Sequence, residues 1–208
     1  MPLYKSITSN SQTTVKIWKI TESFDELMTS VSLKPENKDR VLGMKSELHQ
    51  RGFLSVRCLL LAFGYQDADL FYDDNGKPHL KDGKHISITH SFTFSAVIIS
   101  ENIVGIDIEK QRDKITMIAH KFIDYEFNYL TEDDVDYIKK LTAIWCVKES
   151  LYKLFATPGL SFKKHCLVIP FSRNDETTVA WIDYKNRKQR YNINFLEFEG
   201  FTCAYAIS

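Results

Sequence analysis

Between Phe92 and Ser100 the chain carries apolar side chains on both parities, with Phe92, Phe94, Ala96 and Ile98 on one and Val97 and Ile99 on the other. A strand of this kind is buried on both faces, so the fold must cover it on each side. Glu101-Asn102 separates it from a second strand-like run, Ile103 to Glu109. That spacing predicts a hairpin between the two.

Around this centre the pattern mixes helix and strand. Thr14 to Ile20 alternates as a strand does, and Ser23 with Glu26 reads as a capping box opening a short helix. From Pro35 to Gly64 the spacing of Val41, Leu42, Leu48, Phe53, Leu54, Leu60 and Leu61 predicts one long helix, or two broken near Gly52. Asp73-Asp74-Asn75-Gly76 is turn chemistry. An amphipathic helix is expected around Ile115 to Phe122, a further helical region capped by Thr131-Glu132-Asp133-Asp134, and a strong helix from about Leu141 to Phe155, stopped by Thr157-Pro158-Gly159. Strands are expected at Leu167–Pro170, Thr178–Tyr184, Tyr191–Glu199 and Phe201–Ile207, with Gly200 in the last turn. The fold class is α+β, antiparallel where connections are short.

Composition bounds the partners. The 208 residues carry 27 Lys and Arg against 27 Asp and Glu, so no extended positive field is available to hold nucleic acid. The start of the chain lacks a basic-then-apolar leader, and runs such as Cys58 to Phe63 are too short to cross a bilayer. Cys58, Cys146, Cys166 and Cys203 are widely spaced, which suits reduced core thiols rather than a disulfide frame or a zinc site. A cytoplasmic protein is expected, acting on neither membranes nor nucleic acid.

Chemistry concentrates in two places. In Gly105-Ile106-Asp107-Ile108-Glu109, strand alternation puts Asp107 and Glu109 on one side and Ile106 and Ile108 on the other. Adjacent carboxylates repel unless a cation or proton lies between them, and magnesium takes such oxygen ligands while keeping part of its water shell. Solvated acids on an edge strand would look the same. The second place is the helix. Leu141, Ile144, Trp145, Leu151, Tyr152 and Phe155 mark a buried stripe, and Lys148 falls in its middle, where a lysine must either snorkel out or meet an anion. Glu149 and Lys153, four apart, could be an ordinary helix ion pair.

Taken in order, Gly76-Lys77-Pro78, Ile88-Thr89-His90-Ser91, Gly105-Ile106-Asp107-Ile108-Glu109 and Trp145-x-x-Lys148-Glu149-Ser150-x-x-Lys153 resemble the signature of the 4′-phosphopantetheinyl transferases. The length resembles the larger, surfactin-synthetase-activating type. The resemblance implies two similar αβ lobes in one monomeric chain, residues 1–104 and 105–208, with the active site in the cleft between them. It implies magnesium on Asp107, Glu109 and Glu149, with Glu149 and Lys153 as catalytic residues. Coenzyme A would be bound by Arg51 and His90 at its 3′-phosphate with Thr89 alongside, by Lys77 and Pro78 at the adenine, and by Lys148 and Lys153, with Lys153 on the pyrophosphate. Thr89 stands where serine is more usual, and Ser87 where asparagine is common.

The implied reaction moves the phosphopantetheine arm of coenzyme A to a serine of an apo acyl or peptidyl carrier protein and releases 3′,5′-adenosine bisphosphate. Positioning and charge neutralisation dominate such a phosphoryl transfer. A magnesium phosphodiesterase would use similar groups, but is expected to show further acids or a basic nucleic-acid track. A non-catalytic carrier-binding module is the remaining reading. Carrier proteins are acidic, so the basic stretch from Lys110 to Phe122, with Met117 expected off the buried stripe, is the expected docking element.

Overall fold

The computed structural model describes residues 3–172 and 174–208. Two compact units are present, one ending at Ile103 and one running Val104–Ser208. The first contains β1 (Leu3–Asn10), β2 (Thr13–Lys19), α1 (Phe24–Ser30), α2 (Pro35–Leu42), α3 (Glu47–Ala62), β3 (Leu70–Tyr72), β4 (Pro78–Leu80), β5 (His85–Ser91) and β6 (Phe94–Ser100). Its main sheet has the order β1-β2-β6-β5, and β3 and β4 form a separate ribbon turned at Asp73–Gly76. β6 is buried along its whole length, as its two-sided apolar pattern requires.

The expected hairpin between β6 and the following strand does not form. Both edges of β6 are taken, by β2 and by β5. The next strand, β7 (Val104–Lys110), therefore has no edge there to pair with, and it joins the second unit's sheet beside the last strand. The predicted helix over Pro35–Gly64 breaks at residues 43–46 rather than near Gly52. Gly43 N–H closes α2 on Asp39 O at 3.0 Å, while Gly52 is buried inside α3. α3 lays Leu54, Leu59 and Leu60 against Trp18, Val97 and Ile99. Each such leucine contributes about 1.5–3 kcal/mol by leaving water.

A polar network ties α2 and α3 together. Asp67, 3% exposed, accepts from Asn37 Nδ2 at 2.8 Å, Lys34 N–H at 2.9 Å and Arg57 Nε at 3.0 Å. Burial alone would push the Asp67 carboxyl up, but these donors outweigh it and hold it below the usual aspartate value. The unfolded chain then binds the proton more readily, so this stabilisation is present above the ordinary aspartate range and lost as pH falls below it. Asp67→Asn is expected to lower unfolding free energy by about 3–5 kcal/mol at neutral pH, because Arg57 stays buried without its carboxylate. Denaturant titrations should show the gap between variant and wild type closing at acid pH.

The second unit follows β7 with α4 (Ile115–Phe122), α5 (Tyr137–Phe155), α6 (Phe162–His165), β8 (Cys166–Val168), β9 (Thr177–Tyr184), β10 (Arg187–Phe198) and β11 (Phe201–Ile207). Its sheet order is β7-β11-β10-β9-β8, every pairing antiparallel. α5 buries Leu141, Ile144, Val147 and Leu151 in a core that includes Val168, Ile182, Ile193 and Ala204. It starts at Tyr137, four residues before the predicted Leu141, because Thr131–Asp134 forms a turn instead and Asp134 accepts the Tyr137 N–H. The helix stops where expected, at Phe155, with Ala156 in the left-handed region at φ 47°. The four cysteines are free and buried. No helix among the described residues is long and apolar enough to cross a membrane.

Candidate active site

β7 and α5 meet closely. A Cβ on Gly105 would lie 1.9 Å from Ser150 O, so only glycine lets the helix backbone sit this near the strand. Ser150 Oγ reaches Ala204 O at 2.9 Å and Cys146 Sγ reaches Thr202 O at 3.5 Å, fixing α5 along β11 as well. Gly105, Asp107 and Glu109 share one face of β7, while Ile106 and Ile108 are fully buried on the other.

Across this contact Lys153 donates to Asp107 Oδ1 at 2.8 Å and to Ile106 O at 2.9 Å. Glu149, half-buried one turn earlier, has its carboxyl pushed up to about 7 by burial and then by the negative charge of Asp107 and Glu109, with Lys153 opposing. The structure therefore brings Asp107, Glu109, Glu149 and Lys153 within electrostatic reach of one another. The donor set, acid oxygens under mutual repulsion, is one that a hard divalent cation would satisfy. Among the described residues no group of three or more His, Cys, Asp or Glu side chains closes on a single metal position. Asp107 is instead drawn to Lys153.

Lys148 goes elsewhere. It is 0% exposed, and its ammonium contacts Glu126 Oε1 at 2.8 Å, Phe122 O at 2.7 Å and Phe162 O at 3.2 Å. An ammonium has three hydrogens, and these three acceptors engage them all. The anion that Lys148 meets here, Glu126, is inside the unit. Burial pulls the Lys148 pKa down, against the attraction of Glu126. Glu126 was not foreseen. The signal for it was indirect, since a lysine in an apolar stripe demands an acid from some other element.

In the first unit the ring of His90 rests over α3, with Nδ1 3.1 Å from where a Gly52 Cβ would stand. His49 is beside it, ring centroids 6.5 Å apart. Arg51, next along the helix, donates from Nη2 to Ile20 O at 3.3 Å, and its buried Nε has no hydrogen-bond partner. Thr89 is buried next to His90 in β5. Lys77 and Pro78 belong to the β3–β4 ribbon, where the Asp73 side chain accepts the Lys77 N–H at 2.9 Å. Burial lowers the Lys77 pKa, with Asp73 opposing. His49 did not stand out in the sequence, and Gly52 did so only as a helix break.

The 4′-phosphopantetheinyl transferase superfamily matches residues 103–206, half of the chain. The chain belongs to that superfamily. Its matched stretch is the second unit almost end to end, and holds Asp107, Glu109, Glu149 and Lys153. Arg51, Lys77, Pro78, Thr89 and His90 precede it. A 4′-phosphopantetheinyl transferase of Bacillus subtilis is similar at 29% identity over an alignment of 149 residues that covers 66% of this chain. The match spans 65% of that relative's own length.

Proposed function

We propose that this protein transfers the 4′-phosphopantetheine arm of coenzyme A to a serine of an apo acyl or peptidyl carrier protein, as a monomeric enzyme of the larger, surfactin-synthetase-activating type with two similar lobes. The observation that carries this reading is the facing of Asp107 and Glu109 on β7 with Glu149 and Lys153 on α5. In this reading Asp107, Glu109 and Glu149 hold magnesium, which when bound would neutralise pyrophosphate charge. Lys153, with two of its hydrogens committed to β7, has the third for an oxygen of the pyrophosphate. Glu149 is assigned to accept the proton of the attacking serine. The serine oxygen bonds to the β-phosphorus as the bond to 3′,5′-adenosine bisphosphate breaks. His90 and Arg51 read the 3′-phosphate of coenzyme A, Thr89 lies alongside, and Lys77 and Pro78 line the adenine.

The test is a mass measurement. An apo acyl carrier protein incubated with the enzyme, coenzyme A and magnesium should gain one phosphopantetheine, and gain nothing with chelator. An unmodified carrier under all conditions would overturn the reading.

Recognition of coenzyme A yields a second expectation. His90→Ala and Arg51→Ala should weaken coenzyme A by about 1.5–3 kcal/mol while changing 3′-dephospho-coenzyme A little, because charge-assisted contacts of this size are lost only when that phosphate is present. Calorimetry with both ligands checks this, and equal losses would remove these residues from the phosphate site.

For the carrier, the basic stretch from Lys110 to Phe122, which leads into and includes α4, is the assigned docking element. Ala119 and Phe122 are buried in the second unit's core, and Met117 is 72% exposed. Arg112→Glu with Lys114→Glu is expected to raise the KM for carrier about tenfold and leave that for coenzyme A unchanged. An unchanged carrier KM would move docking off the stretch from Lys110 to Phe122.

A further inference from the structure

The reaction proposed above leaves the buried pair Lys148–Glu126 without a task, yet its place on α5 is specific. Lys148 lies one residue before Glu149 and five before Lys153. At about 100° per residue, Glu149 and Lys153 stand about 40° apart on the helix, while Lys148 points about 100° away from the first and about 140° away from the second. α5 is therefore gripped on two sides. On the β7–β11 side, Lys153 holds Ile106 O and Asp107, and Ser150 holds Ala204 O. On the far side, Lys148 holds Phe122 O at the end of α4, Phe162 O in α6, and Glu126 in the turn Tyr125–Asn128. Glu126 is itself anchored. Its Oε1 accepts Val168 N–H of β8 at 2.9 Å and its Oε2 accepts Asp124 N–H at 3.3 Å.

An apolar side chain at position 148 could fill the same volume with the helix turned by some degrees either way. A charge with 0% exposure has no such latitude, because losing any acceptor leaves it unpaired in the interior. The pair joins α4, the turn, α6 and β8 to one point on the helix that bears the acids and the lysine.

We propose that Lys148 and Glu126 are positioning residues: their pair fixes the rotation of α5 about its axis, and so fixes where Glu149 and Lys153 stand against Asp107 and Glu109. The inference rests on the reaction proposed above, and neither residue touches substrate.

Two variants test it. Lys148→Met with Glu126→Gln removes both charges and keeps an acceptor for Val168 N–H. Glu126→Asp keeps the charge and shortens its reach by one methylene. Each is assayed at saturating substrates at a temperature where circular dichroism shows it folded. The kcat is expected to fall about tenfold or more while the KM for coenzyme A stays within about twofold, the pattern of a group that places catalytic residues without binding the ligand. A 5-fluorotryptophan at position 145, where Trp145 stands edge-on to Phe122 and Phe162, should show a shifted fluorine resonance. Folded variants with wild-type kcat and an unshifted resonance would overturn the proposal. So would a raised KM for coenzyme A at unchanged kcat, which would make Lys148 a ligand. If the double variant does not fold, Glu126→Asp decides by the same criteria. If the wild-type protein leaves every carrier unmodified, the reaction falls separately, and the fluorine resonance decides for the pair, an unshifted one overturning it.

Discussion

Gly105→Ala is expected to remove the proposed transferase activity and lower stability together. The added methyl would stand 1.9 Å from Ser150 O, 2.9 Å from Ser150 C and 3.0 Å from Leu154 N, all backbone atoms. Neither side yields cheaply. Gly105 is paired with Ala206 in the sheet, and α5 is fastened to that same β11 through Ser150 and Ala204 O. Overpacking of this kind costs about 1–3 kcal/mol, and more where backbone rather than side chain must move. The only relief is to lift α5 from β7, which carries Glu149 and Lys153 away from Asp107. A misplacement of about 1 Å in such a constellation costs about 100-fold in rate. Denaturant midpoint and single-turnover transfer, measured on one preparation, check both halves. An alanine variant with wild-type values for the two would mean that the close approach of strand and helix is not required.

Asp107→Ala and Glu149→Ala should separate activity from folding where Gly105→Ala does not. Each is expected to lower transfer by about 100-fold or more, as for loss of a preorganised group that manages developing charge. Neither should unfold the protein. Asp107 is bound to a lysine whose side chain is 29% exposed, so water can take over that end of the pair. Glu149 stands among like charges, and the isosteric Glu149→Gln should melt no earlier than wild type in chelator. A magnesium titration of transfer rate, run beside thermal melts, is the measurement. Near-wild-type turnover by either alanine variant at limiting magnesium would remove these acids from the proposed metal site.

The helices and strands that carry the site were legible because their patterns are strong. The stripe from Leu141 to Phe155 and the alternation of Ile106 and Ile108 with Asp107 and Glu109 place α5 and β7 without help from tertiary structure. Pairing was not legible. A strand apolar on both parities announces its burial but says nothing about which neighbours fill its edges, so β6 was assigned to the wrong partner. β1 was missed for the opposite reason. As an edge strand it exposes most of its length, and Lys5, Ser6, Thr8 and Asn10 leave little apolar rhythm to read. Gly52 looked like a helix breaker, whereas its lack of a side chain is used for the close approach of His90. Lys148 was visible as an anomaly, but its resolution depended on Glu126, a residue 22 positions away with no signal of its own.

The sealed thiols have a practical consequence. Burial raises the pKa of Cys58, Cys146, Cys166 and Cys203 alike, Cys166 to about 12. Since the thiolate is the nucleophile, the native protein should be almost silent toward iodoacetamide or maleimide. Any alkylation that does occur reports an opening of the interior, and its rate under increasing denaturant becomes a clock for each unit separately, with Cys58 keeping time for the first and the other three for the second. Against that silent background, a single cysteine introduced at exposed Met117 would take a fluorophore alone, and its signal would follow a carrier protein arriving at α4.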